Sequence, residues 1–244
     1  MKRLAFACAV LLSGCAGHDR ATAARGPDAA SRQRVAAAAE ASGQYDVALS
    51  MYAAAAAAEP NNAAVQARFA ATLVRTGQAA QAEEVLNRGL QRRPADAALL
   101  TQLGQLRLRA GQTQAALEAF DRALTSAPRQ ISALDGRGVA LDLLGRHAEA
   151  QASYRDALAS APASIAVTNN LAMSYLLTGR ASEAVALLAP LAGRSDAPPR
   201  VAVNLAVARG AMGDPSSARA MLGGAVSAQA DLENILTGLR AGGS

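Results

Sequence analysis

Residues 77–94 read GQAAQAEEVLNRGLQRRP, residues 111–128 read GQTQAALEAFDRALTSAP and residues 145–162 read GRHAEAQASYRDALASAP. Each stretch opens on a glycine and closes on a proline. Five residues in stands an alanine (Ala82, Ala116, Ala150), and nine residues in a large side chain (Leu86, Phe120, Tyr154). The glycines are 34 residues apart. The same interval reaches Gly43 upstream and Gly179 and Gly213 downstream, with Ala48, Ala184 and Ala218, then Tyr52, Leu188 and Leu222, in step. Pro60 joins Pro94, Pro128 and Pro162 on the same spacing. A fixed period of this length marks a repeat architecture, in which each unit buries its apolar face only against its neighbours.

Composition decides what the units are made of. Half of the 244 residues are apolar, aromatics are 3 % and tryptophan is absent. Most of the apolar share is alanine, the strongest helix former and the one that buries least area. Close-packed helices suit such a chain. Each period reads as helix A, a turn carrying the glycine, helix B, and a proline that cannot continue the helix. This grammar resembles the tetratricopeptide repeat (TPR). The resemblance implies an all-α, right-handed superhelical solenoid of about six helical hairpins. The units run over 29–62, 63–96, 97–130, 131–164, 165–198 and 199–226. Residues 227–244 carry Leu232, Ile235, Leu236 and Leu239 at helical spacing and are expected to form a C-terminal capping helix.

Departures from the pattern are few. Eight residues before each glycine stand Val35, Phe69, Leu103, Arg137, Leu171 and Leu205, so Arg137 breaks an apolar set. Unit five has Asp196 where the proline belongs, followed by Ala197-Pro198-Pro199, and an irregular exit is expected. Residues 53–58 are all alanine, which predicts loose packing in unit one. Apart from Phe6 near the N-terminus, every aromatic falls on a repeat position (Tyr45, Tyr52, Phe69, Phe120, Tyr154 and Tyr175), leaving none over for a stacking platform.

The N-terminus reads as an address. Met1-Lys2-Arg3 is followed by the apolar run LAFACAVLL at 4–12, too short for the roughly 20 residues of a membrane-spanning helix but of signal-peptide length. It ends in Leu12-Ser13-Gly14-Cys15, which resembles the bacterial lipobox. The resemblance implies a signal peptide over 1–14 and acylation of Cys15, the thiol being the nucleophile that accepts the lipid. Cys8 would leave with the signal, so no disulfide is expected. Several acyl chains anchor a protein stably where one does not. Ala16, rather than aspartate, follows the cysteine, which implies the outer membrane of a Gram-negative cell, facing the periplasm. Residues 15–28 read as a flexible tether.

Searching for chemistry excludes more than it finds. The net charge of +5 is spread along the chain, and every basic residue after Lys2 is arginine. Nucleic-acid binding normally needs a concentrated basic face with interleaved aromatics. His18 and His147 have no second ligand at metal spacing, no glycine loop precedes a helix as a phosphate cradle, and no serine occupies a G-x-S-x-G turn. Glu83, Glu84, Glu118 and Glu149 fall near the starts of B helices, where they complement the dipole. The expectation is a binding protein: no enzyme, no cofactor, no metal, no nucleic acid and no small-molecule substrate.

The TPR resemblance also implies a concave groove lined by helix A. Its expected lining includes Arg75, Gln105, Leu108, Arg109, Asp135, Val139, Asp142, Asn169, Met173 and Leu176, with Ala71, Val74, Thr101 and Val203 beside them. Leu108, Val139, Met173 and Leu176 would form an apolar strip over units three to five. Arg75 and Arg109, equivalent positions in neighbouring units, would pair on an acidic segment of a protein partner.

A narrower resemblance sits in residues 169–222. Asn169-Asn170-Leu171, Leu187-Leu188 with Pro190-Leu191, Pro199-Arg200-Val201, Asn204-Leu205-Ala206 and Gly213-Asp214 look like the TadD family, TPR lipoproteins of Flp (tight-adherence) pilus assembly. The implied role is a scaffold or adaptor assisting pilus secretion, with the outer-membrane secretin as a partner. Similar six-repeat lipoproteins of type IV pili, and general envelope scaffolds for cell-wall or lipid-export machinery, are the alternatives.

Overall fold

The computed structural model describes residues 28–214 together with Ser216, Ala218 and Ala220. The expected signal peptide, Cys15, nearly all of the tether, and the capping helix lie outside the described residues. Among the described residues all regular structure is helical. The order is α1 (Ala29–Ala41), α2 (Tyr45–Ala58), α3 (Ala63–Arg75), α4 (Ala79–Arg92), α5 (Ala97–Arg109), α6 (Thr113–Ser126), α7 (Ile131–Leu143), α8 (His147–Ser160), α9 (Ile165–Leu177), α10 (Ala181–Ala192) and α11 (Pro199–Ala211). Odd-numbered helices are the A helices and even-numbered ones the B helices. None of the described helices is long and apolar enough to cross a membrane.

The turn glycines do what the period implies. All six have positive φ, from 72° at Gly111 to 89° at Gly213. In that left-handed conformation the amide of the next residue reaches back to the helix, as in Gln112 N–H to the Arg107 carbonyl at 2.9 Å and Arg146 N–H to Leu141 at 2.8 Å. Four of the six A helices start on side-chain caps: Asp28, Asn62, Asp96 and Ser164 each accept from an amide of the first turn. Four B helices end two residues before Pro60, Pro94, Pro128 or Pro162. Helix α10 instead carries Pro190 inside, ends at Ala192, and leads through an Arg194–Asp196 ion pair to Pro198 and Pro199 at the start of α11. This is the irregular exit of unit five.

Packing follows the same period. Ala48, Ala82, Ala116, Ala150, Ala184 and Ala218 are all fully buried, and so are Tyr52, Leu86, Phe120 and Leu188, with Tyr154 at 1 % exposure. A small residue in helix B lets the helices close up, and the large one fills the space between hairpins. A second small position, missed in the sequence, lies seven residues before each glycine: Ala36, Ala70, Gly104, Gly138, Ala172 and Ala206. At Gly104 and Gly138 no side chain fits. A Cβ on Gly104 would come within 2.7 Å of the Phe120 ring, and one on Gly138 within 2.4 Å of the Tyr154 ring. Gly136 serves Phe120 from the next hairpin at 2.4 Å. Large aromatics in α6 and α8 are therefore matched by glycines in α5 and α7.

Two expected core positions differ. Val35 is 48 % exposed, because among the described residues no hairpin precedes α1 to cover it. Arg137 replaces a leucine by bridging helices: Nε donates to Asp121 Oδ1 at 2.7 Å on α6, and Nη1 to Ser153 Oγ at 2.6 Å on α8.

Candidate binding groove

Successive A helices pack on one another, α3 on α5, α5 on α7, α7 on α9 and α9 on α11, and so build one continuous face. Two cavities lie along its N-terminal half. A cavity of about 440 Å³ lies over α3 and α5, with Arg68, Arg75, Gln102 and Gln130 among its walls. A smaller one of about 140 Å³ adjoins it, lined by Val74, Arg75, Gln102, Gln105 and Arg109. Arg75 and Arg109 thus line one cavity. Arg75 donates to the Tyr45 hydroxyl at 2.6 Å and lies 4.9 Å from that ring's centre, a contact that orders the guanidinium. The side chains of Gln102, Gln105 and Arg109 form no hydrogen bond or ion pair within the described residues. Glu40, the carboxylate on the wall of the larger cavity, accepts from Thr72 Oγ1 at 2.9 Å and Tyr52 OH at 3.3 Å. The cavities therefore present donors and positive charge to a ligand.

The C-terminal half of the face is engaged with itself. Asn170 Nδ2 donates to Asp135 Oδ1 at 2.9 Å, and one unit on, Asn204 Nδ2 donates to Asn169 Oδ1 at 2.8 Å. Asp142 accepts from Ser174 Oγ at 2.8 Å and Tyr154 OH at 3.1 Å, and lies 2.9 Å from His147 Nδ1. The Asp142–Tyr154–Ser174 arrangement repeats that of Glu40, Tyr52 and Thr72 three units earlier, so both pins tie a hairpin to its successor. Burial, then Asp142, pushes the Tyr154 phenol up. His147 is the first residue of α8 and serves this pin. Among the described residues no group of His, Cys, Asp and Glu could hold a metal.

The expected apolar strip is corrected by burial. Leu176 is 3 % exposed and belongs to the core of α9, α10 and α11, and Asn169 is 4 % exposed. Leu108 and Val139 pack partly buried against the central core, and Met173 against the last one. Thr101, at 1 % exposure, bonds the Ala97 carbonyl at 2.7 Å and Gln130. These side chains hold hairpins together, because an A helix must seal its own interface before it can offer anything to a partner. Arg75, Gln105 and Arg109 remain as cavity residues, Ala71 and Val74 line it with them, and Val203 is exposed on α11. Arg68 and Gln102 were missed. Their signal is a polar residue nine before the turn glycine: Arg34, Arg68, Gln102, Asn170 and Asn204 share it, with Gly136 the exception.

Asp135 titrates abnormally. Burial holds its carboxyl above the ordinary carboxylate range, opposed by the Asn170 hydrogen bond and the field of Arg200. A raised pKa in the fold means that the native state binds the proton more tightly, so this group's contribution falls as pH rises through the window above the unfolded pKa. Asp135→Asn should keep the acceptor for Asn170, as the Asn204–Asn169 pair one unit on does. It is expected to be at least as stable as the wild type at pH 7, with the advantage vanishing under acid conditions. Urea midpoints across pH measure this.

A model described as tetratricopeptide repeat matches residues 39–106 and 143–202, more than half of the chain, and a second tetratricopeptide repeat model matches 97–130. No curated protein matches by sequence. Among solved structures, a thermophilic TPR protein of Thermus thermophilus is 26 % identical, with a TM-score of 0.64 over 74 % of this chain and 98 % of its own. PilW, described as a widely conserved type IV pilus biogenesis factor, is 18 % identical with a TM-score of 0.67, covering 86 % of this chain and 92 % of its own. The pilF protein of Pseudomonas aeruginosa is 14 % identical with a TM-score of 0.68, covering 84 % and 96 %. The last two likenesses are likenesses of fold.

Proposed function

We propose that this chain, which belongs to the tetratricopeptide repeat family, is an envelope-tethered adaptor that captures an acidic segment of a pilus-assembly protein. The observation that carries the binding mode is the pair of joined cavities on the A-helix face, where Arg75, Arg109, Gln102 and Gln105 converge. Repeats of this family act as protein-interaction scaffolds, and a groove of donors suits carboxylates and backbone carbonyls of an extended peptide. Arginine is suited to this, since its fork can hold a carboxylate in two bonds at once.

The pilus setting rests on residues 169–222, with their TadD-like features, and on the lipobox at Leu12-Ser13-Gly14-Cys15. In this reading Cys15 carries the lipid, the protein faces the periplasm from the outer membrane, and the secretin of the Flp machinery is the partner of choice. A type IV pilus lipoprotein is the second reading, favoured by the PilW-like course of the chain. Gene neighbours separate the two. The role itself is tested by deletion: the deletion strain should lack pili and regain them with the wild-type gene, and normal piliation without the protein would sink the proposal.

The anchor makes its own prediction. Cys15→Ser should leave an unprocessed, unacylated precursor of higher mass. Mass spectrometry of membrane-extracted wild-type protein should find Cys15 as the acylated first residue; a free thiol there would refute the anchor.

A further inference from the structure

The helix-B side carries a gap that the repeat explains. Thirteen residues after the turn glycine, units two, three and four place Leu90, Leu124 and Leu158, each partly buried against the core between hairpins. Unit one places Ala56 there, between Ala53 and Ala57. The leucine-sized slot is therefore open. A cavity of about 250 Å³ stands in its place between α2, α3 and α4, walled by Ala53, Ala56, Ala57 and Phe69 and rimmed by Arg88 and Arg92. Phe69 is larger than the leucines at its register position and covers one side, but it remains only half-buried. The volume falls below the about 300–1,000 Å³ of small-molecule pockets and suits one protruding side chain.

The rim differs from its counterpart too. Arg122, the equivalent of Arg88 one unit on, donates to the Pro94 carbonyl at 3.0 Å and so latches the loop across its own slot. Arg88 instead leans on Glu84 at 3.8 Å, an exposed pair. Arg92 follows one helical turn later, so both guanidiniums flank the same opening.

We propose that this slot, on the side away from the groove, is a second docking site, for an acidic helical segment of a partner protein that presents one aliphatic side chain. A helix is the fitting carrier, since the corresponding slots of units two to four are filled by a leucine borne on a helix. The two arginines supply the charge complementarity that selects acidic neighbours around it.

The probe is a short fluorescein-labelled peptide with one leucine set among glutamates and alanines, titrated by anisotropy against the full chain. Replacing the peptide leucine by alanine should weaken binding about tenfold. Ala56→Leu, which fills the slot as Leu90 does, should weaken it by a similar factor while leaving the unfolding midpoint unchanged or raised. The exposed pair Arg88→Glu with Arg92→Glu should abolish binding, which keeps the test decisive should Ala56→Leu fold poorly. All arms are measured in the Arg75→Glu with Arg109→Glu background, so that capture of the acidic peptide by the groove does not mask the slot. Equal affinity for the Arg88/Arg92 variant, or no binding at millimolar peptide, overturns the proposal. So does binding of decanoate in the slot without binding of the peptide, which would assign it to small amphiphiles.

Discussion

Gly138→Val is expected to destabilise the protein by about 3 kcal/mol, at the upper end of what overpacking usually costs. A mere Cβ at this position already falls 2.4 Å from the Tyr154 ring, well inside van der Waals contact. The ring cannot swing aside cheaply, because its hydroxyl is held by Asp142 at 3.1 Å and its body is 1 % exposed. Glycine in a helix interior ordinarily costs about 1 kcal/mol against alanine, so helix propensity works against the predicted loss. Packing wins because the clash involves a fully walled ring. Gly89→Ala is the control. Its Cβ would meet only the far end of Leu99, at 2.9 Å, and a flexible side chain can yield. Urea unfolding should show a large midpoint drop for Gly138→Val and little change for Gly89→Ala. Equal midpoints would mean that the aromatic–glycine match is not what sets the spacing of α7 and α8.

The second large effect is functional. Reversing charge at both Arg75 and Arg109 should weaken capture of the acidic partner about 100-fold at low salt, and added salt should shrink that difference by weakening the wild type. Both side chains are exposed, so helical content and unfolding midpoint should stay near the wild type. The Arg75 contact with the Tyr45 ring would be lost, a cost confined to the surface. Met173→Glu makes a poor test of the groove, because Met173 packs against the core of the last hairpins and its replacement would mix folding with binding. The double arginine variant removes that ambiguity. Isothermal titration with the purified partner, at low and high salt, measures it.

The hairpins were legible because their period is written in residues with a single physical role. Glycines at positive φ, buried alanines and the large residue nine after each turn can be read without coordinates. The partner face was only partly legible. Arg75 and Arg109 were found as equivalent positions, and the structure brings them to one cavity. Leu176 and Asn169 were misplaced because a 34-residue period fixes which residues are equivalent but not how far each is covered by the next hairpin. A residue such as Leu176, three before its glycine, is sealed by α10 and α11, whereas Val74 at the same register borders the small cavity. Arg68 and Gln102 lie on a polar period that runs beside the stronger apolar one and is masked by it. The glycines opposite Phe120 and Tyr154 escaped for the converse reason: their signal is the absence of a side chain.

Site-specific photocrosslinking in living cells tests the adaptor claim most directly. A photoreactive residue placed at Gln105, on the wall of the smaller cavity, should crosslink to an acid-rich segment of a pilus-assembly protein in cells that carry the pilus genes. The adduct should disappear when Arg75 and Arg109 are reversed to glutamate. Position Glu118, exposed on α6, is the reference site on the helix-B side. A pilus-protein adduct from Gln105 but not from Glu118 is the predicted result; the same adduct from Glu118 with none from Gln105 would contradict capture by the groove.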